Sequence, residues 1–252
     1  MKPKSPHYLL FALALFCVMG ASLPWPLSAI LGPRYSTPSS SEVRSIRTGS
    51  HDYGFNTMDS RSSAIRAQAP NLDPHVLSLA LKAYLHAKQQ GVQTRDMVTI
   101  IDYSKPSTER RLWVIDLHNS HVLYNTWVTH GKNSGALRAT SFSDQPRSLK
   151  SSLGVFVTDD APYEGGVGYA LRLKGLESGF NSHAYQRAVV VHGAWYADSS
   201  VAKKYGQLGR SWGCPAVSPT LAKPLINTIK NHTLVFVYYP DRQWLSHSSF
   251  LA

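Results

Sequence analysis

Residues 187–217 read RAVVVHGAWYADSSVAKKYGQLGRSWGCPAV, and this stretch decides both the fold and the chemistry. Ala188-Val189-Val190-Val191 is a β-branched run that predicts a strand, and the strand ends in His192-Gly193. Cys214 follows 22 positions after the histidine (214 − 192), within Gly209-Arg210-Ser211-Trp212-Gly213-Cys214-Pro215. A thiol becomes a nucleophile at neutral pH when it is held as thiolate, which a nearby imidazole can do by taking the proton. A histidine emerging at a strand end is well placed for that. Gly193 removes the side chain beside it, and Gly213 lets a substrate carbonyl approach the backbone N–H groups near Cys214, the local requirement for an oxyanion hole.

Outward from this stretch, short β-branched and aromatic runs dominate. Upstream lie Met97–Tyr103, Arg111–Leu117, His121–Val128, Leu153–Thr158 and Ala170–Leu173, with the second and third predicting a hairpin across His118-Asn119-Ser120. A final strand is expected over Thr233–Tyr239, after a short helix around Pro219–Lys230. Asp73-Pro74 supplies an N-cap and a proline at the first helical position, and apolar residues recur at Val76, Leu77, Ala80, Leu81, Tyr84 and Leu85 until Gly91. The fold class read from this pattern is mainly β (α+β), with two or three short helices, in one domain over 71–245.

The chain has 252 residues, 43% hydrophobic and 16% charged, enough to bury a core and too apolar for a disordered or collagen-like protein. Lys plus Arg total 26 against 15 acids, a formal +11, which favours anionic partners. No run of five or more basic residues and no Arg–aromatic ladder points to nucleic acid, and nucleic-acid binding is not expected.

Met1-Lys2-Pro3-Lys4 gives a positive start, and Tyr8–Ala21 is an uncharged apolar run ending in small residues, so residues 1–22 read as a secretory signal peptide. The run is shorter than the ~20 residues that span a bilayer. Residues 23–70, rich in Pro, Ser, Arg and Gly without a sustained apolar period, read as a flexible polar lead-in. Cleavage near Ala21 or Ser22 removes Cys17 and leaves Cys214 as the one thiol of the mature chain. The default reading of a lone thiol is a buried, inert one, and the neighbours of Cys214 argue against it.

Those neighbours resemble a known family. His-Gly at a strand end, followed after a loop by Ser-X-Gly-Cys, is similar to the murein L,D-transpeptidase (YkuD-type) catalytic domain, in a branch with Ser211-Trp212-Gly213-Cys214 at the nucleophile. Val114-Ile115-Asp116-Leu117, His130-Gly131-Lys132-Asn133-Ser134-Gly135, Ala139-Thr140-Ser141-Phe142-Ser143 and Ser152-Leu153-Gly154-Val155-Phe156 resemble the same branch, so the likeness spans about 97–240. It implies a β-sandwich-like transpeptidase fold and two-step acyl transfer on peptidoglycan stem peptides. Cys214 attacks the carbonyl of the third stem residue and expels the terminal D-alanine. The thioester then passes to a second stem, giving a 3–3 cross-link, to a protein lysine such as one of an outer-membrane protein, or to water.

In that comparison His192 matches the base, Gly193 supplies the carbonyl that orients it, and Ser211 with Gly213 shapes the nucleophile loop. No metal or organic cofactor is implied, and an exported monomer in the periplasm or cell envelope is expected. The sequence departs from the widespread pattern in two places. Trp212 stands where many members have His, and Ala216 stands where Arg or Asn is usual. The second departure leaves the substrate carboxylate without a clamp, for which Arg210 is the substitute, since a guanidinium can hold a carboxylate with two bonds. Trp195, Tyr196 and Trp212 either line a groove for peptide or sugar or serve as loop anchors.

Four rival readings compete for the same residues. Gly209-Arg210-Ser211-Trp212-Gly213 satisfies the G-x-S-x-G elbow of serine hydrolases, with Asp241 and His247 downstream, but Lys203–Leu208 is no buried strand to carry an elbow. The sequence has neither an H-E-x-x-H nor a second mature cysteine for a zinc site, and His183 is a candidate second imidazole. An L,D-carboxypeptidase or endopeptidase shares the thiol chemistry, whereas a non-catalytic wall-binding module would carry Cys214 inert.

Overall fold

The computed structural model describes residues 60–252. The expected signal peptide and most of the expected lead-in lie outside the described residues. A helix, α1, covers 60–68, inside the stretch that reads as lead-in. Its only fully buried side chain is Ile65, so it has no apolar period to read. Gln68 at its end acts as a surrogate strand: its side-chain amide donates to Ser120 O at 2.8 Å, and its carbonyl oxygen accepts Val122 N–H at 3.0 Å. Helix α2 (Pro74–Gln89) starts where its cap predicts, with the Asp73 carboxylate accepting His75 N–H at 2.7 Å, and buries Val76, Leu77, Ala80, Leu81 and Tyr84.

The strands are β1 (Met97–Asp102), β2 (Leu112–Asp116), β3 (His121–Thr126), β4 (Gly154–Thr158), β5 (Tyr163–Gly165), β6 (Gly168–Gly175), β7 (Val190–Gly193), β8 (Ala216–Val217) and β9 (Leu234–Tyr238). The pairing order is β3-β2-β1-β9-β4-β6-β7-β8, with β5 on β6. β2 and β3 form the expected hairpin, and β1 runs parallel to β9. β1, β4 and β9 are buried at every position, which is why they read as continuous apolar runs rather than alternating ones.

The sandwich-like shape arises within this single path. β6 pairs with β5 through Gly168–Ala170, with β7 through Ala170–Arg172 and with β4 through Leu173–Gly175, so one strand belongs to both halves. At the far end, the chain leaving β3 crosses to β8: Thr129 N–H donates to Ala216 O at 2.9 Å and Gly131 bridges to Ser211. The sheet thereby nearly closes on itself, and the crossing brings 129–135 against the residues that precede β8.

Three further helices cover the sheet: α3 (Ser199–Tyr205), α4 (Pro219–Ile229) and α5 (Arg242–His247). α3 ends at Gly206 in the left-handed region and carries Lys203 and Lys204 on its exposed face, as the sequence predicts. α5 drives the fully buried Trp244 onto Phe236, ring centroids 5.6 Å apart, a burial that stabilises by ~2–3 kcal/mol. Among the described residues no helix is long and apolar enough to cross a membrane.

Candidate active site

β7 and β8 set the site. They run parallel with His192 opposite Ala216, so two residues back along each chain Cys214 lies level with Val190. The thiol donates to Ala188 O at 3.7 Å, and the Val190 N–H favours its ionised form. Burial works against that and pushes the Cys214 thiol up from its ordinary value. His192 is buried, and Nδ1 lies 3.0 Å from Gly193 O. A carbonyl only accepts, so Nδ1 carries the proton and Nε2 is left with its lone pair. Burial pushes His192 down, with the Gly193 bond opposing. Both shifts favour a neutral thiol beside a neutral imidazole, in place of the thiolate–imidazolium pair that the sequence suggests. Among the described residues no hydrogen bond joins His192 to Cys214; the pairing of β7 with β8 brings His192 near the turn that precedes β8 and carries Cys214.

Gly193 is needed for packing as well as for its carbonyl. A Cβ there would stand 2.9 Å from the Ala222 side chain and 3.3 Å from Pro219 Cα, so the glycine lets α4 seat against the strand end. Gly213 adopts φ +124°, and a Cβ on it would approach Lys150 O to 2.7 Å. Its N–H is taken, donating to Ser211 Oγ at 3.1 Å. The oxyanion donor expected near Gly213 is therefore not that group. The Cys214 N–H has no partner among the described hydrogen bonds and, on the nucleophile itself, is the candidate backbone donor; the Trp212 N–H is likewise uncommitted.

Ser211 is committed twice, since its hydroxyl also donates to Cys214 O at 2.6 Å. Its backbone is clamped by 129–135: Ser211 N–H donates to His130 O at 3.0 Å and Lys132 N–H to Ser211 O at 2.8 Å. This removes the serine-hydrolase reading. Asp241 caps α5 through Trp244 N–H, and His247 bonds within the same helix. His183 is not brought in as a second imidazole either, because Nδ1 pairs with the buried Asp144 at 2.8 Å. Among the described residues no cluster of three His, Cys, Asp or Glu could hold a metal.

Of the substrate-contact candidates, Tyr196 lies under the loop: Gly209 N–H donates to Tyr196 O at 2.8 Å, and a Cβ on Gly209 would collide with the ring. Its hydroxyl is pushed up by burial and by the charge of Cys214, which places it within electrostatic reach of the thiol. Trp212 is 76% exposed and Trp195 71%, the latter edge-on to Tyr196 at 5.8 Å. Arg210 is exposed, and its Nη1 donates to Gly135 O at 3.2 Å.

Three residues to which sequence reasoning assigned no role also support the turn. Ser151 Oγ donates to Gly213 O at 3.1 Å and accepts Gly131 N–H at 3.0 Å. Arg111, fully buried, donates to His130 Nδ1 at 2.8 Å, so His130 donates from Nε2 to Gly135 O. Arg187 lies beside Gly213, with Nη2 3.4 Å from where a Cβ would stand. The first two had no signal in the sequence, and Arg187 stood inside the decisive stretch, five residues before His192 (192 − 187), without an assigned role.

A sequence model of the YkuD_2 family, described as an L,D-transpeptidase catalytic domain, matches residues 68–238. Comparison with curated proteins gave no match. Among solved structures, an L,D-transpeptidase from Mycobacterium smegmatis is 16% identical over 57% of this chain and 59% of that one, with a TM-score of 0.36. An Enterococcus faecium L,D-transpeptidase C442S mutant is 16% identical over 57% of this chain and 50% of that one, TM-score 0.35. An L,D-transpeptidase from Stackebrandtia nassauensis is 13% identical over 65% of this chain and 68% of that one, TM-score 0.33. The chain spans 59% of the length of the first of these.

Proposed function

The chain belongs to the L,D-transpeptidase catalytic-domain family, and on that premise we propose that it is an exported cysteine acyltransferase of peptidoglycan stem peptides. The observation that carries the reading is the pairing of β7, which carries His192, with β8, which begins two residues after Cys214, with Nδ1 tied to Gly193 O and Nε2 free to accept a proton. As the sulfur attacks the carbonyl of the third stem residue, its proton passes to Nε2 and the oxygen takes the charge beside the Cys214 N–H. The tetrahedral intermediate collapses by breaking the C–N bond to D-alanine. Imidazolium gives its proton to the departing amine, and a thioester remains. An acceptor amine, deprotonated by the same imidazole, then takes the acyl group and regenerates the thiol. Neutral partners suit this path, since His192 must be unprotonated to begin.

The acceptor is a second stem peptide or a protein lysine. The exposed Trp212 and Trp195, with Arg210, form the open side where donor and acceptor would dock. Incubation with purified disaccharide-tetrapeptide and mass spectrometry of the products tests the reading. Cross-linked dimer supports transfer, and tripeptide alone supports the L,D-carboxypeptidase alternative. Untouched tetrapeptide, with the protein still binding sacculi, would leave the wall-binding module.

A further inference from the structure

Arg187 is half-buried, and the loop 143–152 wraps its guanidinium. Nη1 donates to Ser143 O at 2.7 Å and Ser152 Oγ at 2.6 Å; Nη2 donates to Lys150 O at 2.7 Å and Ser148 Oγ at 3.2 Å. All four partners are neutral oxygens, and among the described residues no ion pair joins Arg187 to a carboxylate. Asp144, the nearby acid, is spent on His183 and Ser182. The charge is therefore fixed without a contacting carboxylate, Asp144 favouring it only across space. It sits against Gly213, and Ala188, the next residue, supplies the carbonyl that contacts the Cys214 thiol.

We propose that Arg187 is a positioning residue for the nucleophile, a cation held in place by the 143–152 loop that stabilises the Cys214 thiolate as it forms. The proposal rests on Cys214 being the nucleophile. Its electrostatics agree: Arg187 favours the ionised thiol, and the thiolate favours the charged guanidinium. The other titratable groups around the thiol do not supply that charge. Tyr103 is pushed up to about 12 and Tyr196 is pushed up, both by burial, so both stay neutral. His192 is pushed down and is neutral before the reaction. The Lys150 ammonium is turned to Ser141 Oγ at 2.7 Å. With all four terminal N–H groups of Arg187 occupied, it is not free to clamp a substrate carboxylate with its fork, which leaves that task to Arg210.

The test is the pH dependence of iodoacetamide alkylation at Cys214, read by site-resolved peptide mass spectrometry on the full chain, for wild type, Arg187→Lys, Arg187→Met and Arg187→Gln. Loss of charge in the Met and Gln variants is expected to raise the thiol's apparent pKa by about one unit, a roughly tenfold slower reaction below it. Arg187→Lys keeps the charge while losing most of the hydrogen bonds, and should stay closer to wild type. A purely structural arginine predicts the reverse grouping, with Lys as impaired as Met. Equal titration of Cys214 in wild type and in a folded Met or Gln variant overturns the proposal. The readout needs no turnover, so a chain that titrates as expected yet leaves tetrapeptide intact contradicts the proposed function and not the role of Arg187.

Discussion

Gly213 shows how much of the nucleophile turn depends on one residue having no side chain. Its φ of +124° and the 2.7 Å approach of Lys150 O to a would-be Cβ predict that Gly213→Ala strains the turn by ~1–3 kcal/mol and displaces the thiol. Urea denaturation should show the loss, and D-alanine release should fall far more than the stability does; unchanged activity would contradict this. At this scale the candidate residues were legible, because a His-Gly strand end and a Gly-Cys turn carry meaning in their residue types. The supports were not. Arg187 finds Lys150 37 positions away and Ser151 finds Gly213 62 positions away, and no local pattern records such contacts.

The crossing of 129–135 from β3 to the nucleophile turn is the element on which the site hangs. It is locked by Arg111 and His130, and burial together with the Arg111 charge pushes His130 down to about 4. A histidine whose folded pKa lies below its unfolded value contributes stability that is complete above about pH 6.5 and is lost as pH falls toward 4. The chain should therefore lose about 2 kcal/mol from His130 between pH 7 and pH 5, with His192 adding in the same direction. Urea denaturation at the two pH values checks it. His130→Asn, which cannot titrate, should show a shallower loss, and an equal slope in the variant would contradict the assignment. The longer strands and α2 were readable from period and caps, while the short β5 and β8 were not. This crossing was not, because Thr129–Gly135 looks like a polar loop and its partners belong to a different part of the chain.

In the whole molecule, a helix covers 60–68, inside the stretch whose composition reads as lead-in. α1 contributes Ile65 to the core, Ala69 just beyond it is buried too, and Gln68 finishes the edge of β3. A chain starting at residue 71 should be less stable than one starting at residue 60 by ~3 kcal/mol or more, from one buried isoleucine and two hydrogen bonds. Equal urea midpoints for the two would show that α1 merely lies on the surface. The near-closed sheet is what converts these distant segments into one site, and the central claim is that Cys214 is its nucleophile. Intact-protein mass spectrometry of the full chain after a short incubation with stem tetrapeptide tests this most directly. The account predicts an adduct of the acyl tripeptide at Cys214, with free D-alanine released and neither product from Cys214→Ala. D-Alanine release that survives in Cys214→Ala, or an unmodified wild-type thiol beside intact tetrapeptide, would contradict it.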